Sequence, residues 1–378
     1  MKLNKFKSVL VILCLGVLAV SCDTENVEEM DPSLSSQPLL EGIEIPKLDP
    51  GKTKSQLPEI DENFKDYIVG KNAVEPSECG PTSFVDVQIK YQQPVINDLY
   101  TIFGPLQFAQ IFYLYMDLNF YSAYFDQSED QYFGANGEYT QLVNRRHRDM
   151  EKFFDMPNEV RVNGQHTATL NDREKLADIY EIVGTNVGSR EQAYAAADQI
   201  LYFNTFSPHL PDNPFFALDG FATSGNLIVI GDGIVQMLAE TGIEEEIVWT
   251  GILAHEWAHQ IQFNNWSTWY PNGAADNVPE ATRYTELEAV FFAGFYMTHK
   301  RGATYNWKRV EDFFELFFHI GDCGFENNGH HGTPLQRLEA ARLGYELANS
   351  AQKQGQILSQ EEIHNIFVEQ VEKIFPSK

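Results

Sequence analysis

His255-Glu256-Trp257-Ala258-His259 sets two imidazoles four residues apart, with a carboxylate beside the first. Residues four apart on a helix lie one above the other on one face, so both imidazoles can reach one metal ion. A cation held there would lower the pKa of a water, and Glu256 is placed to take the proton. Catalytic zinc sites usually have three protein ligands and keep one position for water, so two histidines are not enough. Gln262 and Asn265 stand where a Gly-x-x-His would continue the run, which excludes a third histidine of that kind. The third ligand must come from another element.

Glu286, in Thr285-Glu286-Leu287-Glu288-Ala289-Val290-Phe291-Phe292-Ala293-Gly294, is the favoured third ligand. Ala289, Ala293 and Gly294 follow it at helical spacing, and that small face would let a second helix pack closely on the first. Glu288 is the rival, but two residues along a helix put it on roughly the opposite face. The plainer alternative is two solvated carboxylates, with Arg283 pairing Glu286 at i,i+3.

The elements that must position these groups are mostly helical. Ile243 to Phe263 reads as one amphipathic helix, with Glu244, Glu245 and Glu246 in its first turn, where the helix dipole favours negative charge. Helices are also expected at 97–125 with a break at Gly104-Pro105, and at 172–182, 190–203, 233–240, 280–300, 306–318, 334–350 and 359–375. Val160-Arg161-Val162 before Asn163-Gly164 would open a hairpin that Gln165 to Leu170 closes. Asn226, Leu227, Ile228, Val229 and Ile230 form a short β-rich run between glycines. As an edge strand over the metal helix it would bind an extended peptide through main-chain hydrogen bonds. As a plain core strand it would not. Strands gather before the metal helix and helices outnumber them, so the fold class expected is helix-rich α+β with a small mixed sheet.

H-E-x-x-H followed by E-L-x-A-x-x-x-A-G resembles the gluzincin metallopeptidases, most nearly the bacterial neutral zinc metallopeptidase and CAAX-prenyl-protease-like groups. Ala217 to Gly231 resembles that family's strand-turn-strand before the metal helix. His331-Gly332-Thr333-Pro334-Leu335-Gln336-Arg337 is similar to its H-G-T-x-x-Q-R segment. The likeness covers about Phe215 to Gly344. It implies a zincin-like fold, one zinc ion per chain and peptide-bond hydrolysis. It also implies His255, His259 and Glu286 as ligands, Glu256 as general base, His331 on the substrate or the developing oxyanion, and Arg337 in a structural role. One position departs from the family: Val290 stands where it has an aspartate that often orients a ligand histidine. Such partners typically alter metal affinity or activity by about ten- to a hundred-fold.

A donor for the oxyanion is also needed. His331, His330, Tyr270 and Tyr284 are candidates, and His330-His331 reads equally as a polar loop beside Asn327, Asn328 and Gly329.

The chain's start gives an address. Lys2, Lys5 and Lys7 precede an apolar run from Val9 to Val20, too short for a stable span. Leu18-Ala19-Val20-Ser21-Cys22 resembles a bacterial lipobox. This implies export of a lipoprotein to the cell envelope, periplasmic or surface-exposed, anchored to the membrane through Cys22 once residues 1–21 are removed. An ordinary signal peptide is the alternative. Residues 22–61, rich in Pro, Ser, Asp and Glu, read as a disordered tether. The body then runs over 62–378, with 62–170 as an N-terminal extension and 171–378 as the metallopeptidase core.

The formal charge is −27, and removing residues 1–21 takes away three lysines and no acids. Such a chain is not a nucleic-acid binder. Cys79 and Cys323 would pair in an oxidising compartment or remain two buried thiols. The function expected is an exported, lipid-anchored zinc metallopeptidase acting on peptide or protein substrates. A catalytically inactive zincin fold that binds a ligand or partner is the second reading, supported by Val290 and opposed by Glu256 with its three neighbouring ligands.

Overall fold

The computed structural model describes residues 38–49, 52, 82–270, 278–305, 307–321, 332–353 and 356–374. Cys22, Cys79, Cys323, His330 and His331 lie outside the described residues, as do the stretch read as a signal and most of the stretch read as a tether. The helices are α1 (Ser83–Phe103), α2 (Phe108–Phe125), α3 (Thr140–Phe153), α4 (Arg173–Val183), α5 (Arg190–Asn204), α6 (Asp232–Ala239), α7 (Glu245–Trp269), α8 (Val278–Thr298), α9 (Trp307–His319), α10 (Pro334–Lys353) and α11 (Gln360–Ile374). The strands are β1 (Arg161–Gln165), β2 (Gly220–Thr223) and β3 (Leu227–Gly231), in spatial order β1-β3-β2. The chain is therefore helix-rich α+β with a small mixed sheet. No helix among the described residues is long and apolar enough to cross a membrane.

The expected break at Gly104 is present: its φ is +74°, and its amide caps α1 by donating to the Tyr100 carbonyl. α1 starts earlier than the sequence suggested and runs through Pro94. α2 is rich in aromatic residues and packs into the core, with Tyr115, Leu118 and Asn119 fully buried. α3 was not expected. Most of its surface is polar, and it buries only Leu142, Val143, Met150 and Phe153.

The sheet corrects two expectations. Asn163-Gly164 makes no hairpin turn: both residues lie inside β1, which pairs in parallel with β3, Asn163 opposite Val229 and Gly164 opposite Ile230. The Asn163 amide is spent on the end of α2, donating to the carbonyls of Ala123 (2.7 Å) and Asp126 (2.9 Å). A side chain at Gly164 would come within 2.5 Å of the Tyr132 carbonyl. The pair thus serves burial and close approach where a turn was read. The second correction concerns Asn226 to Ile230. Asn226 is the left-handed residue (φ +60°) of the β2–β3 hairpin turn, and Leu227 to Ile230 belong to β3, the central strand, buried along its whole length. It has strand partners on both sides and offers no edge to a peptide.

β1 lies in the stretch read as an N-terminal extension, yet it completes the sheet, and the described part of that stretch, from residue 82 on, contributes to the hydrophobic core. The expected tether also needs correcting where it is described. Residues 38–49 lie on the body: Ile45 is buried, Leu48 bridges Gly184, and the Lys52 ammonium donates to the carbonyls of Gly184 (3.0 Å) and Val187 (2.6 Å). Ile45 and Leu48 give this part the apolar side chains that a detached tether lacks.

α7 is buried continuously from Ile247 to Gln262. The first-turn acids Glu245 and Glu246 suit its N-terminus. The chain turns into it at Gly242, where φ is +107°. α8 packs against both α7 and α10.

Candidate metal centre

α7 supplies His255 and His259 one turn apart, and α8 brings Glu286 to them. His255 Nε2 lies 3.1 Å from Glu286 Oε2, His259 Nε2 lies 3.3 Å from Glu286 Oε1, and the two Nε2 atoms are 3.2 Å apart. These are the only three-residue His, Cys, Asp or Glu group with metal-binding spacing among the described residues. All three are buried, at 4–6 % exposure, as is Glu256 at 5 %. Donors about 2.0–2.1 Å from a tetrahedral zinc stand roughly 3.3–3.4 Å from one another, so this donor set fits such an ion in size and chemistry.

The small face of α8 was expected to bring Glu286 up to α7. Its glycine instead serves the contact with α10. A side chain at Gly294 would come within 2.8 Å of the Ala341 carbonyl, and one at Gly344 within 2.4 Å of the Phe291 carbonyl. The two backbones touch there, and α10 thereby delivers Arg337. Its Nη1 lies 3.3 Å from Glu286 Oε2, and its guanidinium sits over Phe317, the ring that also approaches His255. Arg337 is thus a partner of Glu286 that the sequence had not suggested.

The segment from Gly332 to Arg337 is a built helix start. Gly332 has φ +92°. Thr333 and Gln336 form a capping box: Gln336 N donates to Thr333 Oγ1 (3.2 Å), and Thr333 N donates to Gln336 Oε1 (3.1 Å). Pro334 takes the first helical position, where its missing N–H costs nothing.

Gln262 holds the far nitrogen of His259. Its Nε2 donates to the Thr285 carbonyl (2.9 Å) and to Glu288 Oε2 (2.9 Å). A backbone carbonyl only accepts, which fixes which end of the amide carries nitrogen. Gln262 Oε1 must then accept from His259 Nδ1–H, at 2.8 Å. With the proton on Nδ1, the lone pair of neutral His259 sits on Nε2 and points at Glu286 and His255. His255 Nδ1 is buried with no hydrogen-bond partner among the described residues.

Charge is divided unevenly over the pair. Burial pushes His255 down to about 3, only partly offset by Glu286. Burial also acts downward on His259, but Glu286, Glu256 and the Gln262 hydrogen bond outweigh it and raise that imidazole to about 9. Near neutral pH, with no metal bound, these shifts leave His255 neutral and favour an added proton on His259.

Glu288 is no metal ligand and no solvated carboxylate. It is fully buried, with Oε1 accepting from His364 Nδ1 (2.6 Å) and Oε2 accepting from Gln262 and the Tyr270 hydroxyl. Tyr270 is thus engaged with Glu288, while Tyr284 packs its ring on Phe367 of α11. Sequence reasoning weighed Glu288 only as a rival ligand and gave Gln262 and His364 no part in the site. The i,i+3 spacing of His259 and Gln262 on a buried helix face was the available signal.

No protein-family model, curated protein or solved structure matches the chain.

Proposed function

We propose that the chain is a zincin-like metallopeptidase, a hydrolase that uses one zinc ion to cleave peptide bonds. The observation that carries this reading is the convergence of three buried donor atoms from two helices at 3.1–3.3 Å spacing, with Glu256 on the same helix. His255, His259 and Glu286 would hold the ion. When bound, it supplies Lewis acidity that brings the pKa of water near neutrality. Glu256 takes the proton from the attacking water and returns it to the departing amine nitrogen. Gln262 fixes the tautomer of His259, and Arg337 fixes the Glu286 carboxylate. An orienting partner at His259 favours the catalytic reading over an inactive binding fold.

A peptide substrate would lie along β2, where the sequence had suggested β3. β2 pairs with β3 on one side and has no strand on its other side among the described residues. It also runs beside Glu256: a side chain built on Gly220 would stand 3.8 Å from Glu256 Oε1. Gln260 ties this hairpin to α7 by donating to the carbonyls of Thr223 (3.0 Å) and Leu227 (3.2 Å). Main-chain pairing to such an edge gives affinity with little dependence on sequence. Export and membrane anchoring through Cys22 remain part of the proposal and rest on the lipobox resemblance.

The test is digestion of a mixed peptide library by the purified chain before and after a chelator, with zinc added back. Cleavage that is lost and then restored supports the reading. Cleavage indifferent to the chelator, or none by zinc-loaded protein, contradicts it.

A further inference from the structure

Glu288 lies two residues beyond Glu286 on α8, one Gln262 side chain away from His259, and is wholly buried. A buried carboxylate is costly unless charge and hydrogen bonds surround it. Here three elements supply donors to it: Gln262 from α7, Tyr270 just after α7, and His364 from α11. The His364 ring is itself fixed by stacking on Trp269, with centroids 4.1 Å apart and planes 5° from parallel. One unbroken path of hydrogen bonds therefore runs from His259 through Gln262 and Glu288 to His364.

The path has a direction. An amide oriented by one hydrogen bond can turn about its last torsion, whereas one oriented by two acceptors on the nitrogen side cannot present its nitrogen to His259. Thr285 O is one of those acceptors and Glu288 is the other. Thr285 O belongs to the backbone, so Glu288 is the acceptor that a side-chain substitution can change.

We propose that Glu288 is a positioning residue of the metal centre: by holding the Gln262 amide it keeps the proton of His259 on Nδ1 and the lone pair of Nε2 aimed at Glu286 and His255. The C-terminal helix α11 is thereby part of the site, since His364 partners the Glu288 carboxylate. This rests on reading the triad as a metal centre.

The experiment measures zinc affinity by chelator competition, and the visible absorption of the cobalt(II)-substituted protein, in wild type, Glu288→Gln, and the exchange Gln262→Glu/Glu288→Gln. The exchange moves the carboxylate next to His259, where it accepts the Nδ1 proton directly. Glu288→Gln should fold, as judged by circular dichroism, bind zinc about ten- to a hundred-fold more weakly and shift the cobalt bands. The exchange should recover most of that loss, which a merely structural role for Glu288 would not produce. Unchanged affinity and bands in folded Glu288→Gln overturn the proposal, as does an exchange no better than the single variant. Should Glu288→Gln not fold, Tyr270→Phe carries the test: weakened binding supports the proposal and unchanged binding overturns it. A wild type that binds no metal removes the metal centre and this inference together. A wild type that binds tightly, with indifferent variants, removes only the inference.

Discussion

Arg337 Nη1 and Glu286 Oε2 meet 3.3 Å apart across the α8–α10 contact, with both side chains almost entirely out of solvent. The carboxylate thus already has a cationic partner before any metal binds. Removing one member of a buried pair strands the other, typically at about 3–5 kcal/mol. Arg337→Met should therefore destabilise the metal-free protein by that order. The loss should be smaller with zinc present, since the ion then compensates Glu286. Thermal melts with and without zinc check this. An equal loss in both states would mean that Arg337 acts elsewhere.

Glu256 is separable from the ligands. Glu256→Gln keeps the shape and removes the base, and general-base catalysis is typically worth about 10²–10⁴ in rate. Peptide cleavage should fall by about that factor while zinc content stays at wild-type level. Undiminished cleavage would remove Glu256 from its role.

Metal uptake should depend on pH with a slope of one. His259, raised to about 9, is protonated near neutrality, while His255, lowered to about 3, is not. One proton must leave for each ion bound, so log affinity rises by about one per pH unit between pH 5 and 8. Two imidazoles titrating near the ordinary 6.5 would instead give a slope near two in acid, fading to zero above neutrality. The same shifts set the stability of the metal-free chain. The contribution of raised His259 is complete below about 6.5 and is lost as pH climbs through 9. Depressed His255 costs stability as pH falls below about 6.5 towards 3.

The α8–α10 crossing should tolerate no side chain. Gly344→Ala would put a carbon 2.4 Å from the Phe291 carbonyl. Overpacking of this kind typically costs about 1–3 kcal/mol. Pushing α10 away should also draw Arg337 from Glu286. Gly188→Ala, where the added carbon meets only the Gln192 side chain at 3.5 Å, is the control and should be near neutral. Denaturant melts compare the two, and equal stability of both variants would contradict the packing argument.

Periodicity and spacing made much of this molecule legible. The H-E-x-x-H pair on a long helix and Glu286 on the next follow from the 3.6-residue repeat, which decides what shares a face. What stayed hidden depended on partners distant in sequence. The small face at Gly294 was visible, but not that α10 would occupy it. Asn163-Gly164 has strong turn character, and only the carbonyls at the end of α2 explain its place in a strand. β3 read equally as edge or core because edge status depends on β1, a parallel partner brought from far along the chain. α3 has few apolar residues and leaves little signal until its neighbours are known. The Gln262–Glu288–His364 path joins residues up to 102 positions apart, and no local pattern contains it.

The central claim is that His255, His259 and Glu286 hold one metal ion together. Crystals grown with zinc, with data collected at the zinc absorption edge, test it most directly. One strong anomalous peak should stand about 2.0–2.2 Å from His255 Nε2, His259 Nε2 and a Glu286 oxygen, and be absent in Glu286→Ala crystals grown the same way. No peak at the triad, or a peak that persists unchanged without Glu286, would contradict it.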